Sequence, residues 1–393
     1  MTLPVTKVNR QTLARTRRIR EDLHRHPELG YGEKRTASLV ARVLREAGLD
    51  QVLTGLAETG VVGLLRGARP GRTVALRADM DALPIDEQTG LPYASVNKGV
   101  MHACGHDGHT AILLAVAEVL AGLRGRIRGN VKFIFQPAEE GGVGGRRMVE
   151  AGCLRHPDVD AIFALHSWSA IEAGQVELSL TPNVAMNGFQ MDIKGEGGHG
   201  AHPDTCVDPI VIGAQIITAA QTIVSRERRP DRPVVLSFCS FNAGTKDNII
   251  PDSARLLGTI RATDMPTLRA VRRALGRLAK GVAESMRGGV EISDGEIYPP
   301  VRNDPKLLEL VRGVGIELLG KRNVLPSEEQ SMGAEDFAFY LSDQGGVPGV
   351  LFRLGVGADA SLHSARFDFG SAALEPGILM LANVALRALE SDE

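Results

Sequence analysis

Two stretches near the start of the chain, Thr12–Arg25 and Glu33–Ala47, repeat apolar residues at helical spacing, and Gly48 supplies a stop signal. Short apolar runs at Val61–Leu65 and Thr73–Arg77 predict buried strands. Thr110–Leu120 predicts an apolar helix ending at Gly122, and Asn130–Gln136 and Ala161–Leu165 predict further strands. Strands separated by helices point to βαβ units and an α/β fold. Its sheet is mostly parallel, with helices on both faces.

The pattern changes near Pro182. From Phe189 to Lys194 apolar and polar residues alternate, which predicts a strand with one solvated face. A helix at Asp208–Val224 follows, then strands at Val234–Asn242 and Ala254–Arg261, a helix at Thr267–Met286 and a strand at Val290–Ile297. The order β-α-β-β-α-β is that of a ferredoxin-like α+β sandwich. After Pro299 and Pro300 the α/β pattern resumes. The expectation is a discontinuous domain made of residues 1–183 and 297–393, interrupted by an inserted domain at 184–296.

Composition narrows the class. A chain of 393 residues exceeds the size at which a single core stops growing. Hydrophobic residues at 43% and charged residues at 23% suit a globular protein. A formal net charge of −2 argues against nucleic acid or an anionic membrane as partner. No segment approaches the ~20 apolar residues of a membrane span, and Met1–Arg20 lacks the apolar centre of a signal peptide. The 4 cysteines, at 104, 153, 206 and 239, form no CxxC pair, which points to a reducing, cytoplasmic setting. Cys153 and Cys239 read as small core residues, and His24, His26 and His156 as surface residues.

Metal-ligating residue types gather where strands end. The densest cluster is Met101-His102-Ala103-Cys104-Gly105-His106-Asp107-Gly108-His109, just ahead of the helix at Thr110. A thiolate and an imidazole two residues apart suit zinc, manganese, cobalt or nickel. The remaining histidines of the cluster, His102 and His109, could each support a ligand from behind. The next cluster is Gln136-Pro137-Ala138-Glu139-Glu140-Gly141-Gly142, directly after a strand. Adjacent residues of extended chain point to opposite sides, so one glutamate can bind metal while the other serves as general base. The run Gly141-Gly142-Val143-Gly144-Gly145 lacks the GK[ST] ending of a phosphate loop and more plausibly lets the backbone turn beside Glu140. Leu165-His166 and Leu362-His363 complete the set. A lone histidine at a strand end is more often structural than a ligand. Together with the two clusters, each sits where its strand opens into a shared crevice.

With these motifs in order, the chain resembles the aminoacylase and glutamate-carboxypeptidase-like metallopeptidases. The branch is that of hippurate hydrolases, N-acyl-L-amino-acid amidohydrolases and indoleacetyl-amino-acid hydrolases. The carrying motifs are Asp79-Met80-Asp81-Ala82-Leu83-Pro84, the Met101–Asp107 run, Pro137-Ala138-Glu139-Glu140, Leu165-His166, Gly197-Gly198-His199-Gly200-Ala201, Asn248-Ile249-Ile250-Pro251-Asp252, Gly333-Ala334-Glu335-Asp336-Phe337 and Leu362-His363-Ser364. The resemblance implies a catalytic domain with a binuclear site of Cys104, His106, Glu140, His166 and His363. It implies Glu139 as general base, and an inserted lid and dimerisation domain whose His199 polarises the scissile carbonyl from a partner subunit. It assigns Asn248 and Arg261 to the substrate carboxylate. The implied cofactors are two divalent ions, manganese or zinc first, with cobalt or nickel compatible. The implied partners are a small N-acyl amino acid and a second copy of the chain, as a homodimer or higher oligomer.

One departure matters. The wider superfamily carries His-x-Asp-x-x-Pro where this chain has Asp79-Met80-Asp81-Ala82-Leu83-Pro84, so that ligand histidine is missing, and the resemblance to this branch implies that Cys104 takes up ligation. Asp81 then reads as a residue that orients a ligand histidine. The expected activity is hydrolysis of the amide bond of N-acyl amino acids. The alternatives are a dipeptidase or carboxypeptidase with the same chemistry, or a non-catalytic binding protein. Glu139 beside all five ligands argues against the last.

Overall fold

The strands that the apolar runs predict form the centre of an eight-stranded sheet, seen in a computed structural model that describes residues 5–327 and 330–391. In chain order the strands are β1 (Gln51–Leu56), β2 (Gly60–Arg66), β3 (Arg69–Asp79), β4 (Arg128–Gln136), β5 (Ala161–Trp168), β6 (Val176–Leu178), β7 (Ala185–Lys194), β8 (Gly198–His199), β9 (Val234–Ala243), β10 (Ile249–Ile250), β11 (Ser253–Ala262), β12 (Gly289–Tyr298), β13 (Val324–Pro326) and β14 (Gly349–Gly355). The large sheet has the order β1-β2-β4-β3-β5-β14-β6-β13. Its centre, β4-β3-β5-β14, is parallel, with Asp79 level with Gln136 and Arg77 level with Ala164. The C-terminal ends of β3, β4 and β5 therefore emerge at one edge, the usual place for an α/β site. The flanks are antiparallel where β1 meets β2, β2 meets β4, and β14 meets β6.

Helices cover both faces. On β2, a Cβ at Gly63 would meet Leu44 and Leu49, whereas one at Gly60 would meet the Met148 sulfur at 2.4 Å. The helices Lys34–Glu46 and Gly144–Glu150 thus lie on opposite sides of the same strand. The helix His106–Gly122 is buried continuously from His106 to Ala117, which is why it is apolar all round instead of amphipathic. Contrary to the composition reading, one segment does reach membrane-span length: Ser371–Glu390 has a mean hydropathy of 1.4. That window is 78% buried, and the helix Leu374–Glu390 packs into the main core beside the His106–Gly122 helix.

By packing, the chain divides into Met1–Pro182 with Arg302–Glu329 and Asp336–Glu393, and a second unit of Asn183–Val301 with Gln330–Glu335. The second unit has its own core, including Phe189, Met191, Ile216, Leu256, Val271 and Leu275. β7 alternates buried and half-buried positions along its length, as a sheet with one covered face requires. The sheet order is β12-β7-β11-β9, all antiparallel, with the helices Pro209–Arg226 and Met265–Ser285. This is the ferredoxin-like order. Asp208 and Asp264 cap those helices by accepting backbone N–H bonds from Ile210 and Thr267. The small β8–β10 ribbon carries His199 opposite Ile249.

Candidate metal centre

Each ligand candidate of the first unit sits on backbone shaped to present it. Gly105 precedes the His106 helix at φ 88°, and a Cβ there would stand 2.5 Å from Ser167 Oγ, so glycine is required twice over. His106 opens the helix; its Nδ1–H donates to the Asp81 carbonyl at 2.9 Å and lies 3.2 Å from Asp81 Oδ1. The other oxygen of Asp81 accepts the Glu140 N–H at 2.9 Å. Asp81 therefore orients two of the candidate ligands at once. His166 donates Nδ1–H to the Ser167 carbonyl at 2.8 Å and turns Nε2 to within 3.6 Å of Cys104 Sγ. His363 adopts φ 64°, its N–H binds the Ala103 carbonyl at 2.8 Å, and its Nε2 lies 3.2 Å from Glu140 Oε1.

The two glutamates do not sit in extended chain. Glu139–Gly142 is a tight turn between Ala138 at φ 51° and Val143 at φ 50°, and Gly141 takes φ 89°. The division between the two carboxylates comes from that turn, not from strand alternation.

The candidate ligand atoms converge as two overlapping sets. Cys104, His106 and His166 form one, and Cys104, Glu140 and His363 the other, with the atoms of each set within 4.8 Å of one another. Glu139 meets the same limit with His106 and Glu140 and is 8% exposed.

The fit to a cation is testable on the polar atoms themselves. His106 Nε2 is buried with no hydrogen-bond partner among the described residues. A buried imidazole nitrogen without a partner is costly unless an ion or another group satisfies it. Burial works against protonating His106, but the charge of Asp79 and the hydrogen bond and charge of Asp81 outweigh it and raise its pKa to about 10. Burial pushes the Cys104 thiol well above its usual range, with Glu140, Glu139 and Asp79 adding to the effect. Burial and the neighbouring His109 hold His166 down to about 3, so it stays neutral with a lone pair to give. Burial alone would raise Glu140, but the hydrogen bond from His363 and the charge of His106 hold it below its usual value. The pocket is thus over-supplied with negative charge, and protons on Cys104 and His106 balance it. A divalent ion suits the same place, and its binding must release protons.

Other predicted residues fall elsewhere. His199, Asn248 and Arg261 belong to the second unit. His199 is exposed, accepts the Ala201 N–H at 3.0 Å and lies 5.6 Å, ring to ring, from His202. Asn248 is exposed, and its carbonyl accepts the Gly200 N–H. Arg261 donates to the Met332 carbonyl at 2.6 Å. Cys239 is exposed, unlike the core position expected, because it lies on β9 at the edge of the second sheet; Cys153 is buried as expected.

His24 also differs from its expected surface position. It is fully buried, with Nδ1 2.8 Å from Asp107 and Nε2 3.3 Å from Glu87. Arg20, one turn earlier, binds the same Asp107 oxygen at 2.8 Å and Asp368 at 2.5 Å. Asp107 follows His106 directly, so this cluster stands behind the segment that carries the candidate ligands Cys104 and His106. His102 is buried beside it, 6.4 Å from His24 ring to ring, and burial holds it neutral with a pKa of about 3.

Comparison with known proteins places this geometry. Residues 75–387 match peptidase family M20/M25/M40, and the chain belongs to that family. It is 42% identical over 313 residues to the N-acyl-L-amino acid amidohydrolase of Geobacillus stearothermophilus, covering 79% of this chain and 84% of that one. It is 38% identical over 379 residues to thermostable carboxypeptidase 1 of Saccharolobus solfataricus, covering 94% of each. A Bacillus subtilis structure described as a dinuclear metal binding peptidase from the M20 family superposes with a TM-score of 0.83 at 34% identity, covering 97% of this chain and 99% of that one. The chain is a metal-dependent hydrolase using divalent ions.

Proposed function

We propose that the protein hydrolyses the amide bond of N-acyl amino acids, releasing a carboxylate and a free amino acid. The observation that carries this reading is the sharing of the Cys104 sulfur between two donor sets, with Glu139 beside both. In this reading Cys104, His106, Glu140, His166 and His363 would hold two divalent ions. Manganese or zinc comes first, with cobalt or nickel compatible. When bound, the ions lower the pKa of water and polarise the scissile carbonyl. Glu139 accepts the proton of the attacking water and passes it to the leaving amine. Asp81 holds a proton of His106 on Nδ1, so Nε2 is the nitrogen that would meet an ion once its own proton is released.

The second unit supplies the rest. His199 stabilises the oxyanion, reaching the centre from a partner subunit in a homodimer, and Asn248 and Arg261 hold the substrate carboxylate. The unit acts as lid and dimerisation domain. A cytoplasmic setting suits a thiolate ligand, and all four cysteines are free.

A second reading is a carboxypeptidase, favoured by the likeness to the Saccharolobus enzyme. The test is a panel of N-acetyl amino acids, N-benzoyl amino acids and dipeptides, assayed before and after chelation and with manganese or zinc returned. Loss and return of turnover, with kcat/KM highest for the N-acyl amino acids, is the expected result. Preference for dipeptides favours the carboxypeptidase. No turnover of either class after metal return contradicts both.

A further inference from the structure

Behind the proposed ligands lies a buried set of polar groups that the reaction does not use. Asp79, at the end of β3, accepts from His109 Nδ1 on Oδ1 at 2.6 Å and from Arg77 on Oδ2 at 2.6 Å. His109 is equally committed: its Nε2 accepts the backbone N–H of Ser167 at 2.8 Å. That bond requires a bare Nε2, so the proton of the ring is on Nδ1, facing Asp79. Asp79, His106 and His109 lie close enough together to hold an ion. Hydrogen bonds already occupy both oxygens of Asp79 and both nitrogens of His109, so this trio is a scaffold and not a third metal site.

The position of Ser167 gives the scaffold its purpose. Ser167 follows His166, and its Oγ donates to the Cys104 carbonyl at 2.7 Å. β3 pairs with β5 only as far as Arg77 opposite Ala164, so the last part of β5 has lost that neighbour. His109 supplies the acceptor that the departed strand no longer offers.

We propose that His109 is a positioning residue of the metal centre, an imidazole that stands in for a missing strand and fixes the end of β5, and with it His166, relative to Cys104 and His106. The inference rests on His166 being a ligand. Its ring centroid lies 5.0 Å from that of His109, so a shift of the strand end is felt directly at the donor nitrogen. The clamp closes a circuit: Arg77 holds Asp79, Asp79 holds His109, His109 holds Ser167, and Ser167 holds Cys104.

Three substitutions test it, with Co²⁺ as the probe, read by competition with a chelator and by visible absorption of the loaded protein. His109→Leu fills the space without donor or acceptor. His109→Asn keeps a donor for Asp79 but is too short to reach Ser167. His109→Gln carries an amide oxygen at about the reach of Nε2. Loss of an outer hydrogen-bond partner of a ligand weakens metal binding ~10–100-fold. That loss, with an altered Co²⁺ spectrum, is expected for Leu and Asn, and substantial recovery for Gln. Should the Leu variant not fold, the Asn variant carries the test, because Asp79 keeps its partner there. Wild-type Co²⁺ affinity and spectrum in the Asn variant overturn the proposal. His166→Ala is the control: if it loses Co²⁺ while the His109 variants do not, the ligand assignment stands and the clamp falls. If His166→Ala binds Co²⁺ as the wild type does, the ligand assignment falls and takes the clamp with it.

Discussion

Replacing His24 by Gln should destabilise the protein at neutral pH and much less at alkaline pH. His24 has no exposed surface and lies between Asp107 and Glu87, with Arg20, Tyr93 and His102 as its other charged or titratable neighbours. Burial opposes its protonation, but the hydrogen bonds to Asp107 and Glu87 outweigh that and raise its pKa from 6.5 to about 9. At 1.36 kcal/mol per pKa unit this is worth on the order of 3 kcal/mol. The folded pKa lies above the unfolded one, so the contribution is fully present below pH ~6.5 and is lost as pH rises through ~9. The assay is urea unfolding of metal-stripped protein at pH 6 and pH 10, followed by Trp168 fluorescence. Trp168 is the chain's only tryptophan and belongs to the same unit as His24. The gap between wild type and His24→Gln should be ~3 kcal/mol at pH 6 and should shrink toward the packing difference at pH 10. A gap that is constant with pH, or that widens above pH 9, refutes a charged His24.

Arg20→Met removes one of the two cationic partners of the buried Asp107 carboxylate, leaving His24 as the other, and should cost up to about 3–5 kcal/mol in the same unfolding assay at pH 7. Metal titration of the apo-protein should release protons from Cys104 and His106, so affinity should fall as pH falls. Proton release near zero in weakly buffered calorimetry contradicts ligation by a protonated thiol. Bound metal should protect Cys104 from alkylation, and equal alkylation rates with and without metal contradict the ligand assignment. Mixing His199→Ala with Glu139→Gln subunits should restore activity if the site is shared between subunits; no recovery at any ratio contradicts a shared site.

The parts of this structure that were legible in the sequence are those with a local cause. The central parts of β3, β4 and β5 are buried on both faces, so they read as mostly apolar runs broken by few polar residues, among them Arg77 and Lys132, and β7 has one covered face, so it alternates. The convergence of Cys104, His106, Glu140, His166 and His363 was approachable because all are metal-ligating types at strand ends or in nearby loops. What escaped depends on contacts distant in sequence. Arg20 and His24 lie on an Arg-rich helix that reads as solvated, and their partners Asp107 and Glu87 are 87 and 63 positions away. The three-residue strands β6 and β13 are too short to show a period, and the exposed β1 has no apolar run. The turn at Glu139–Glu140 depends on left-handed backbone at Ala138 and Val143, which neither residue type announces.

The most direct test of the account is the turnover of an N-acyl amino acid by Glu139→Gln, measured together with the metal content of the same preparation. The substituted amide keeps the shape of the side chain and leaves every proposed ligand in place, but it has no carboxylate to take the water's proton. The account predicts wild-type metal content and a kcat lower by ~10²–10⁴-fold, the usual contribution of a general base. Near-normal kcat with full metal content contradicts it.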